Sequence, residues 1–425
     1  MIIDFLINRV RFLRAKYRHK TLRLKIAGMP EFLSCLNRHG IPYVILRWHQ
    51  RVPLTRSASR RAVDDVDFLI DETFQAELVS LATRHRGPVK CDFYGLGSQR
   101  GFAYNRSPYY PPALASMVLR DRVFLAPKNF YVPNARHHLL TFLYHLVYHK
   151  ATNSGIPMSE ADRRPADARG AGRYMKEAER IAHVYDKKLT LPRTLEGLYQ
   201  YLTHAGWQMP LDLLMRWRVK DPWHRHIIEQ ELRDLLPWAQ RLPELVCFVV
   251  RGDARQPGIV DVTLSEIERE YLCADFWVLS GDQVHSLTMR TRGGNWVEGP
   301  KNTPVLPHAV ALCVPRRPNT GAGRRDHELR ASLKRRIRRA INARFRQDEK
   351  LFAVHSTDNA AEAQYYLHVL YGEDRAKQCE RIETFLSIRR APFNQAARNG
   401  PIPAQQSSTH EQARSRNRRP VCGRS

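Results

Sequence analysis

Acidic side chains are concentrated in the stretch DDVDFLID, residues 64–71. The stretch predicts a β-strand, in which side chains alternate between the two faces, so Asp65 and Asp67 would share one face. Two carboxylates held that close together repel each other unless a cation lies between them. Their hard oxygen atoms suit Mg²⁺, which also binds the phosphates of nucleotides. The spacing therefore indicates a metal site for phosphoryl chemistry, although Asp64 and Asp71 show that an ordinary acidic loop is the alternative.

A third candidate carboxylate lies on the next predicted strand, VKCDFYG. Its Asp92 would stand at a neighbouring edge of the same sheet. Together with Asp65 and Asp67 it would complete the acidic set that phosphoryl transfer with two metal ions requires. The predicted cofactor is Mg²⁺, with Mn²⁺ as its substitute.

The order of these segments resembles the nucleotidyltransferase superfamily, and within it a group found near polysaccharide biosynthesis genes. YVILRW comes first, then the DVD strand, then Asp92, and then the helical run LTFLYHLVYHKA; the resemblance covers about residues 30–240. It implies transfer of a nucleoside monophosphate from a nucleoside triphosphate to an unknown acceptor, in polysaccharide or surface-glycan metabolism. Asp65, Asp67 and Asp92 would then be the metal ligands, and Asp92 could deprotonate the acceptor hydroxyl.

Phosphate binding in such an enzyme would depend on basic side chains of this sequence. The superfamily usually has a Gly-Ser or Gly-Gly turn before its DxD strand, which cradles the triphosphate, whereas this chain has Leu46-Arg47-Trp48. Arg47 would neutralise phosphate charge in place of that turn. Lys150, at the end of the helical run, would lie near phosphate as well.

Histidines recur on the predicted helix that ends near Lys150, at His138, His145 and His149. Two histidines four residues apart can bind zinc, but the general-base glutamate of an HExxH motif is absent. The aromatic neighbours favour a packed helix interface. The alternative is that this face lines the nucleotide cleft.

A second resemblance concerns about residues 243–372, which are similar to nucleoside diphosphate kinases. CFVVRGDA resembles a kinase strand that ends in Lys-Pro-Asp-Ala, PVLPHAVALCV a later strand, and VHSTDNAAEA the strand end with the phosphate-accepting histidine. The resemblance implies a ferredoxin-like fold, with His355 as the nucleophile of a ping-pong phosphotransferase and Arg251 as its phosphate-binding residue. Phe352 and Tyr366 stand where the kinases have an asparagine and a glutamate, which favours a nucleotide-binding or structural remnant.

The predicted helix at residues 327–346 carries many basic residues and almost no acidic ones. Arg335 and Arg339 lie on the face opposite its apolar stripe, where they could bind nucleotide phosphates, RNA or an acidic partner. Interleaved aromatic side chains that would stack on bases are missing apart from Phe345, so sequence-specific RNA binding is not indicated. A solvated amphipathic helix is the alternative.

Bulk properties agree with a protein that binds polyanions. The 425 residues carry 69 Lys and Arg against 42 Asp and Glu, a formal net charge of +27, and such a surface attracts nucleic acid, acidic lipid and nucleotides alike. Seven cysteines are scattered singly, without a CxxC pair, as is typical of a reducing compartment. No window has the apolar length of a membrane span, and a cytoplasmic location is expected.

The pattern of elements predicts an α+β, multidomain protein. Residues 1–29 would form a basic amphipathic helix, which covers the first domain or, as the alternative, contacts a membrane surface. Residues 30–133 would be the nucleotidyltransferase-like mixed sheet, 134–242 a helical domain, 243–386 the ferredoxin-like, kinase-like domain and 387–425 a disordered basic tail. Three functions follow as hypotheses: a nucleotidyltransferase, a phosphotransferase acting through phospho-His355, or a degenerate module that binds nucleotides or polyanions.

Overall fold

The computed structural model describes residues 10, 21–54, 65–97, 102, 104, 107–162, 168–215, 221–252, 258–292, 296–298, 303–316, 324–345 and 353–398. Helices and mixed or antiparallel sheets follow one another along these residues, which confirms the α+β, multidomain class. Among the described helices, none is both long and apolar enough to cross a membrane.

The N-terminal sheet contains the DVD strand. Its strands are β1 (Leu22–Ile26), β2 (Tyr43–Ile45), β3 (Val66–Ile70) and β4 (Val89–Tyr94), in the order β1-β4-β3-β2. β3 and β4 are parallel, whereas β1 and β2 run antiparallel to their neighbours. Helices α1 (Met29–Arg38) and α2 (Gln75–Arg84) share a core with one face of the sheet, where Phe68 and Phe93 stack with ring centres 4.8 Å apart. The opposite face carries the acidic residues.

Strand β1 corrects the prediction that residues 1–29 form one amphipathic helix. In LRLKI the apolar residues Leu22, Leu24 and Ile26 are buried, and the two basic residues between them are exposed. This period of two belongs to a strand at the edge of a sheet, and it is overlooked when the basic residues are read at helical spacing. Residues 1–9 and 11–20 of the predicted helix lie outside the described part of the chain.

A helical region covers the other face of the N-terminal sheet. It comprises α3 (Pro112–Arg120), α4 (Ala135–Tyr144), a π-helix (His145–Lys150), α5 (Ala168–Tyr185), α6 (Leu195–His204), α7 (Leu211–Leu214) and α8 (Pro222–Leu232), and α9 (Leu236–Arg241) follows. Between α3 and α4 lies the hairpin β5 (Val123–Leu125) and β6 (Phe130–Val132), whose buried Phe130 and Val132 join the core shared with α1 and α2. Buried residues of these helices and of the sheet, among them Val44, Leu69 and Leu140, form one continuous hydrophobic core. The predicted boundary after residue 133 therefore crosses a shared core.

The C-terminal part of the chain forms a second sheet. Its elements are β7 (Val246–Arg251), α10 (Ile259–Glu268), β8 (Tyr271–Val278), α11 (Gly281–Arg290), the small hairpin β9 (Val297–Glu298) and β10 (Thr303–Pro304), β11 (Pro307–Pro315), α12 (Arg324–Phe345), β12 (Val354–Ser356), α13 (Ala360–Tyr371) and α14 (Arg375–Arg398). The strands lie in the order β12-β7-β11-β8, and each pair is antiparallel. α10 and α12 share a core with one face of the sheet, and α11, α13 and α14 share a core with the other.

Helix α14 is longer than the sequence predicts. Its buried residues Cys379, Ile382 and Leu386 join the core of the second sheet, and the helix continues to Arg398. Residues 387–398 continue this helix, so the predicted disordered tail does not begin at residue 387. Residues 399–425 lie outside the described part of the chain.

A buried carboxylate anchors the loop that follows β4. Glu72 is 3% exposed and accepts hydrogen bonds from the backbone N–H groups of Leu96 and Gly97, the latter at 2.8 Å. Burial raises the pKa of Glu72 to about 7, against the effect of these hydrogen bonds. A Cβ on Gly95 would clash with this carboxylate and would lie 2.9 Å from Cβ of Phe102.

We expect Gly95→Ala to lower the free energy of unfolding by about 1–3 kcal/mol, because the added methyl group overpacks the site around Glu72. Gly281→Ala is the matched control, since a Cβ on Gly281 meets no atom within 4 Å. Urea unfolding followed by circular dichroism measures both variants. Equal unfolding midpoints would contradict the close packing at Gly95.

Candidate functional site

A cavity of about 490 Å³ lies between the acidic face of the N-terminal sheet and the helical region. The acidic side chains that line it are Asp65, Asp67 and Asp92. The basic ones are Arg47, Lys150 and Arg173, and the ring side chains are Trp48, Tyr94, Tyr104, Tyr109, His145, His149 and Tyr174. The structure thus brings together the acidic residues and two of the phosphate-binding residues that the sequence indicates.

Strand register explains why the carboxylates meet. Asp67 on β3 and Asp92 on β4 are direct partners in the parallel ladder, so their side chains lie on the same face. Asp65 comes one residue before β3, and alternation puts it on that face too. Arg47 follows β2, at a point where the backbone N–H of Leu46 still donates to the carbonyl of Asp67 at 2.9 Å. Alternation and pairing together place all four side chains at one cavity.

A buried ion pair lies at the base of the cavity. Nη2 of Arg47 is 2.7 Å from Oδ2 of Asp67, and the Arg47 side chain is only 3% exposed. The hydroxyl of Tyr94 donates to Oδ1 of the same carboxylate at 3.1 Å. Burial by itself would lower the pKa of Arg47, but the neighbouring Asp67 raises it well above its ordinary value. The guanidinium therefore stays charged at any physiological pH.

The other two carboxylates also have basic neighbours. Oδ2 of Asp92 is 3.4 Å from Nε of Arg23, while its Oδ1 is buried without a hydrogen-bond partner among the described residues. Burial raises the pKa of Asp92 to about 6, with Arg23 opposing the shift. Asp65 forms an ion pair with Lys90 in which both side chains are more than 40% exposed. The Asp92 carboxyl group can therefore exchange a proton near pH 6.

The carboxylates of the cavity could hold a metal ion only if a bound ligand supplied further oxygen atoms. In the described ranges no group of three or more His, Cys, Asp or Glu side chains is arranged to hold a metal ion. Mg²⁺ in nucleotide sites is commonly bound by one or two carboxylates together with phosphate oxygens and water. Asp67 and Asp92, with the unpartnered Oδ1 of Asp92, fit that arrangement.

Rings connect the acidic face to the π-helix. The Tyr94 and Tyr109 rings stack with centres 3.8 Å apart, and Tyr109 stacks on His149 at the same distance. The hydroxyl of Tyr109 is 2.8 Å from Nδ1 of His145, and its carbonyl is 2.9 Å from Nε2 of His149. Burial lowers the pKa of both histidines well below the ordinary value, so both are neutral. His145 and His149 line the cavity, whereas His138 packs against the His49 ring at 4.8 Å.

Basic side chains from two helices line the same cavity as the carboxylates. Lys150 ends the π-helix, a rare element that often marks functional sites, and Ala151 after it has a positive φ of 48°. The Lys150 ammonium is 5.8 Å from the ring centre of Tyr174, and the guanidinium of Arg173 is 5.2 Å from that of Trp48. Arg173 and Tyr174, on α5, are absent from the sequence prediction.

The remaining candidate residues lie in the second sheet or on α12, and none of them lines this cavity. Nε2 of His355 is 3.1 Å from the hydroxyl of Tyr366, and its ring centre is 5.8 Å from that of Trp296. The Arg251 guanidinium is 5.3 Å from the Trp296 ring and donates to the carbonyl of Val305 at 3.1 Å. His355 and Arg251 therefore lie on the same face of the sheet, and both pack near the Trp296 ring.

Arg335 and Arg339 are separated from His355 by the sheet itself. Both are exposed on α12, whose buried Leu333 and Ile337 pack against the opposite face. Arg336, also on α12, forms salt bridges with Glu266 and Glu270 outside this helix, with nitrogen–oxygen distances of 2.7 and 2.6 Å. Fewer basic side chains of α12 are therefore available to an anionic ligand than the sequence suggests. Arg346, at the end of the predicted helix, lies outside the described residues.

No protein-family model, curated protein or solved structure matches this chain. The chemistry of the cavity is therefore the basis on which a function can be inferred.

We expect Asp67→Asn to lower the free energy of unfolding by about 3–5 kcal/mol, because it leaves the buried Arg47 guanidinium without its carboxylate. Asp65→Asn is the matched control, since its ion pair is exposed and should contribute less than about 1 kcal/mol. Urea titration at pH 7.5 measures the two. A loss for Asp67→Asn no larger than that for Asp65→Asn would show that the ion pair does not stabilise the fold.

Proposed function

We propose that this protein is a nucleotidyltransferase that moves a nucleoside monophosphate from a nucleoside triphosphate to an acceptor hydroxyl. The observation that carries the proposal is a single cavity lined both by the carboxylates of Asp65, Asp67 and Asp92 and by the cations of Lys150 and Arg173. Phosphoryl transfer depends on positioning and on charge stabilisation more than on covalent chemistry by the protein. A cavity that contains both carboxylates and cations can position the reacting groups and stabilise the charge that develops on them.

Each side chain has a separate role in this proposal. Asp92, whose pKa is about 6, takes the proton from the acceptor hydroxyl. The acceptor oxygen attacks the α-phosphorus, the bond to the bridging oxygen breaks, and pyrophosphate leaves. Lys150 and Arg173 bind the departing phosphates, and Arg47 holds Asp67 in position. Bound at Asp67 and Asp92, Mg²⁺ or Mn²⁺ would polarise the phosphoryl oxygens and reduce their negative charge.

The fold assignments belong to the same proposal. The mixed sheet with its covering helices supports a nucleotidyltransferase-like N-terminal part. In the second sheet the order β12-β7-β11-β8, antiparallel throughout and with α10 and α12 on one face, supports a ferredoxin-like domain. This domain would be related to nucleoside diphosphate kinases, and Tyr366 would contact His355 where those kinases use a glutamate.

A second candidate function is a module that binds nucleotides without transferring them. Its support is that each carboxylate of the cavity already has a basic neighbour: Arg47 for Asp67, Arg23 for Asp92 and Lys90 for Asp65. In such a module the cations would bind phosphate and the carboxylates would only balance their charge.

An assay with labelled nucleotides distinguishes the nucleotidyltransferase from the nucleotide-binding module. With α-labelled nucleoside triphosphates, Mg²⁺ and a panel of sugar and protein acceptors, we expect labelled product and pyrophosphate, both reduced at least a hundredfold in Asp92→Asn. Asp282→Asn, on the exposed first turn of α11, is the control that should keep full activity. Nucleotide binding by calorimetry without pyrophosphate release would favour the binding module instead.

A γ-labelled nucleotide tests the phosphotransferase hypothesis on the same protein. Acid-labile label retained by the wild type and lost in His355→Ala would establish a phospho-histidine. We expect no retained label, because Tyr366 occupies the position of the orienting glutamate.

The pH profile gives a further expectation. Since Asp92 acts as a base only when deprotonated, and a bound divalent cation favours its charged form, the transfer rate should fall about tenfold per pH unit in the acid range, beginning below the metal-free pKa of about 6. Residual activity of Asp92→Asn should lack this limb. A limb unchanged in that variant would assign the proton transfer to another group.

A further inference from the structure

Two cysteines face each other across the C-terminal sheet. Cys273 on β8 and Cys313 on β11 are direct partners in the antiparallel ladder, and both lie on the face that shares a core with α10 and α12. Opposed residues of such a ladder have Cα atoms about 4.5–5.5 Å apart, which is within the range that a disulfide bridges. The Cys273 thiol donates a hydrogen bond to the carbonyl oxygen of Asp275, with the sulfur and the oxygen 3.2 Å apart.

A β-bulge makes this pair different from its neighbours. Leu312 pairs with Asp275 and the next residue, Cys313, pairs with Cys273, so the ladder skips Ala274. Bulges interrupt the regular hydrogen bonding and increase the local twist. β8 also forms the edge of the sheet, and Cys273 is half-buried. Cys273 is therefore the more exposed cysteine of the pair.

The two thiols differ in a way that sets an order of reaction. Cys313 is fully buried, and burial raises the pKa of its thiol. The neighbouring Cys313 thiol lowers the pKa of Cys273, whereas burial acts on Cys273 in the opposite direction. Because the thiolate is the nucleophile in thiol chemistry, Cys273 should react first and Cys313 second.

We infer that Cys273 and Cys313 are a modification site that forms a reversible cross-strand disulfide by exchange with a low-molecular-weight disulfide. The Cys273 thiolate attacks one sulfur of the small disulfide, whose S–S bond breaks and releases one small thiol. Cys313 then gives up its proton and attacks the Cys273 sulfur, and the second small thiol leaves. Two protein thiols are oxidised while one small disulfide is reduced to two thiols. This inference is independent of the proposed nucleotidyl transfer.

Other described cysteines provide internal controls. Cys35 has the same intermediate exposure as Cys273, and no described cysteine stands opposite it; its sulfur lies 3.6 Å from Nε2 of His85. Cys247 on the neighbouring strand β7 is fully buried and belongs to the core on the opposite face of the sheet. Cys35 should therefore stop at a mixed disulfide, and Cys247 should stay unmodified.

Exchange with 2-hydroxyethyl disulfide tests the inference on the full-length, reduced protein. Samples are quenched in acid, alkylated, digested without reductant and analysed by mass spectrometry. We expect a peptide linked through Cys273 and Cys313 that disappears after dithiothreitol is added under native conditions. Cys313→Ser should trap the mixed disulfide on Cys273, and Cys273→Ser should slow the modification of Cys313 at least tenfold.

Folding of each variant is checked by circular dichroism before the reaction, and if either variant is unfolded the wild-type protein decides the question. Folded wild-type protein that yields no linked peptide would overturn the inference. So would a linked peptide that resists dithiothreitol, or a Cys313 that reacts as fast in folded Cys273→Ser as in the wild type.

Discussion

The ion pair between Arg47 and Asp67 is the constraint around which the N-terminal half of the protein is arranged. A guanidinium that is 3% exposed needs a compensating charge, since burying an unpaired ion costs several kcal/mol. Asp67 provides that charge from β3, and Tyr94 binds the second oxygen of the carboxylate from β4. Through the stack of Tyr94, Tyr109 and His149, the same carboxylate is connected to the π-helix. The Asp67 carboxylate is thus the point from which contacts extend both to the sheet and to the helical region.

The charge balance inside the cavity differs from that of the whole chain. The chain carries a formal net charge of +27, but in the cavity the carboxylates and the cations are matched in number. A surplus of positive charge attracts a polyanion from a distance, whereas a balanced cavity selects for ligands that bring their own counter-charge. A nucleoside triphosphate with its divalent cation is a ligand of this type. The surface and the cavity would therefore act at different stages of binding.

Much of the candidate site could be predicted from short stretches of sequence, because it depends on local alternation. The period of two in DDVDFLID and the order of the strands are enough to bring Asp65, Asp67 and Asp92 to one face. Arg173 was missed for a local reason as well: the Gly- and Pro-rich stretch at residues 159–173 predicts a loop, although Met175, Ala178 and Ile181 continue a helical stripe from it.

The rest depends on pairings between distant residues, which no local pattern reveals. Arg23 reaches Asp92 because β1 pairs with β4, and the basic N-terminal sequence gives no sign of that partner. Arg335 and His355 are close in sequence, yet the sheet separates them because α12 packs on the face opposite to His355. The neutral state of His145 and His149 likewise follows from burial by the surrounding helices.

The strand order of the second sheet has a consequence for biosynthesis. β7 is the first strand of that sheet to be translated, but it lies between β11 and β12, so that Val250 pairs with Ala309 on one side and Val354 on the other. The N-terminal sheet can close soon after β4 has left the ribosome, whereas one edge of the apolar segment VCFVVR stays unpaired until β12 emerges. Long-range pairing of this kind folds slowly and exposes strands that aggregate. In the nascent chain, one edge of β7 therefore waits longer for its partner strand than any strand of the N-terminal sheet does.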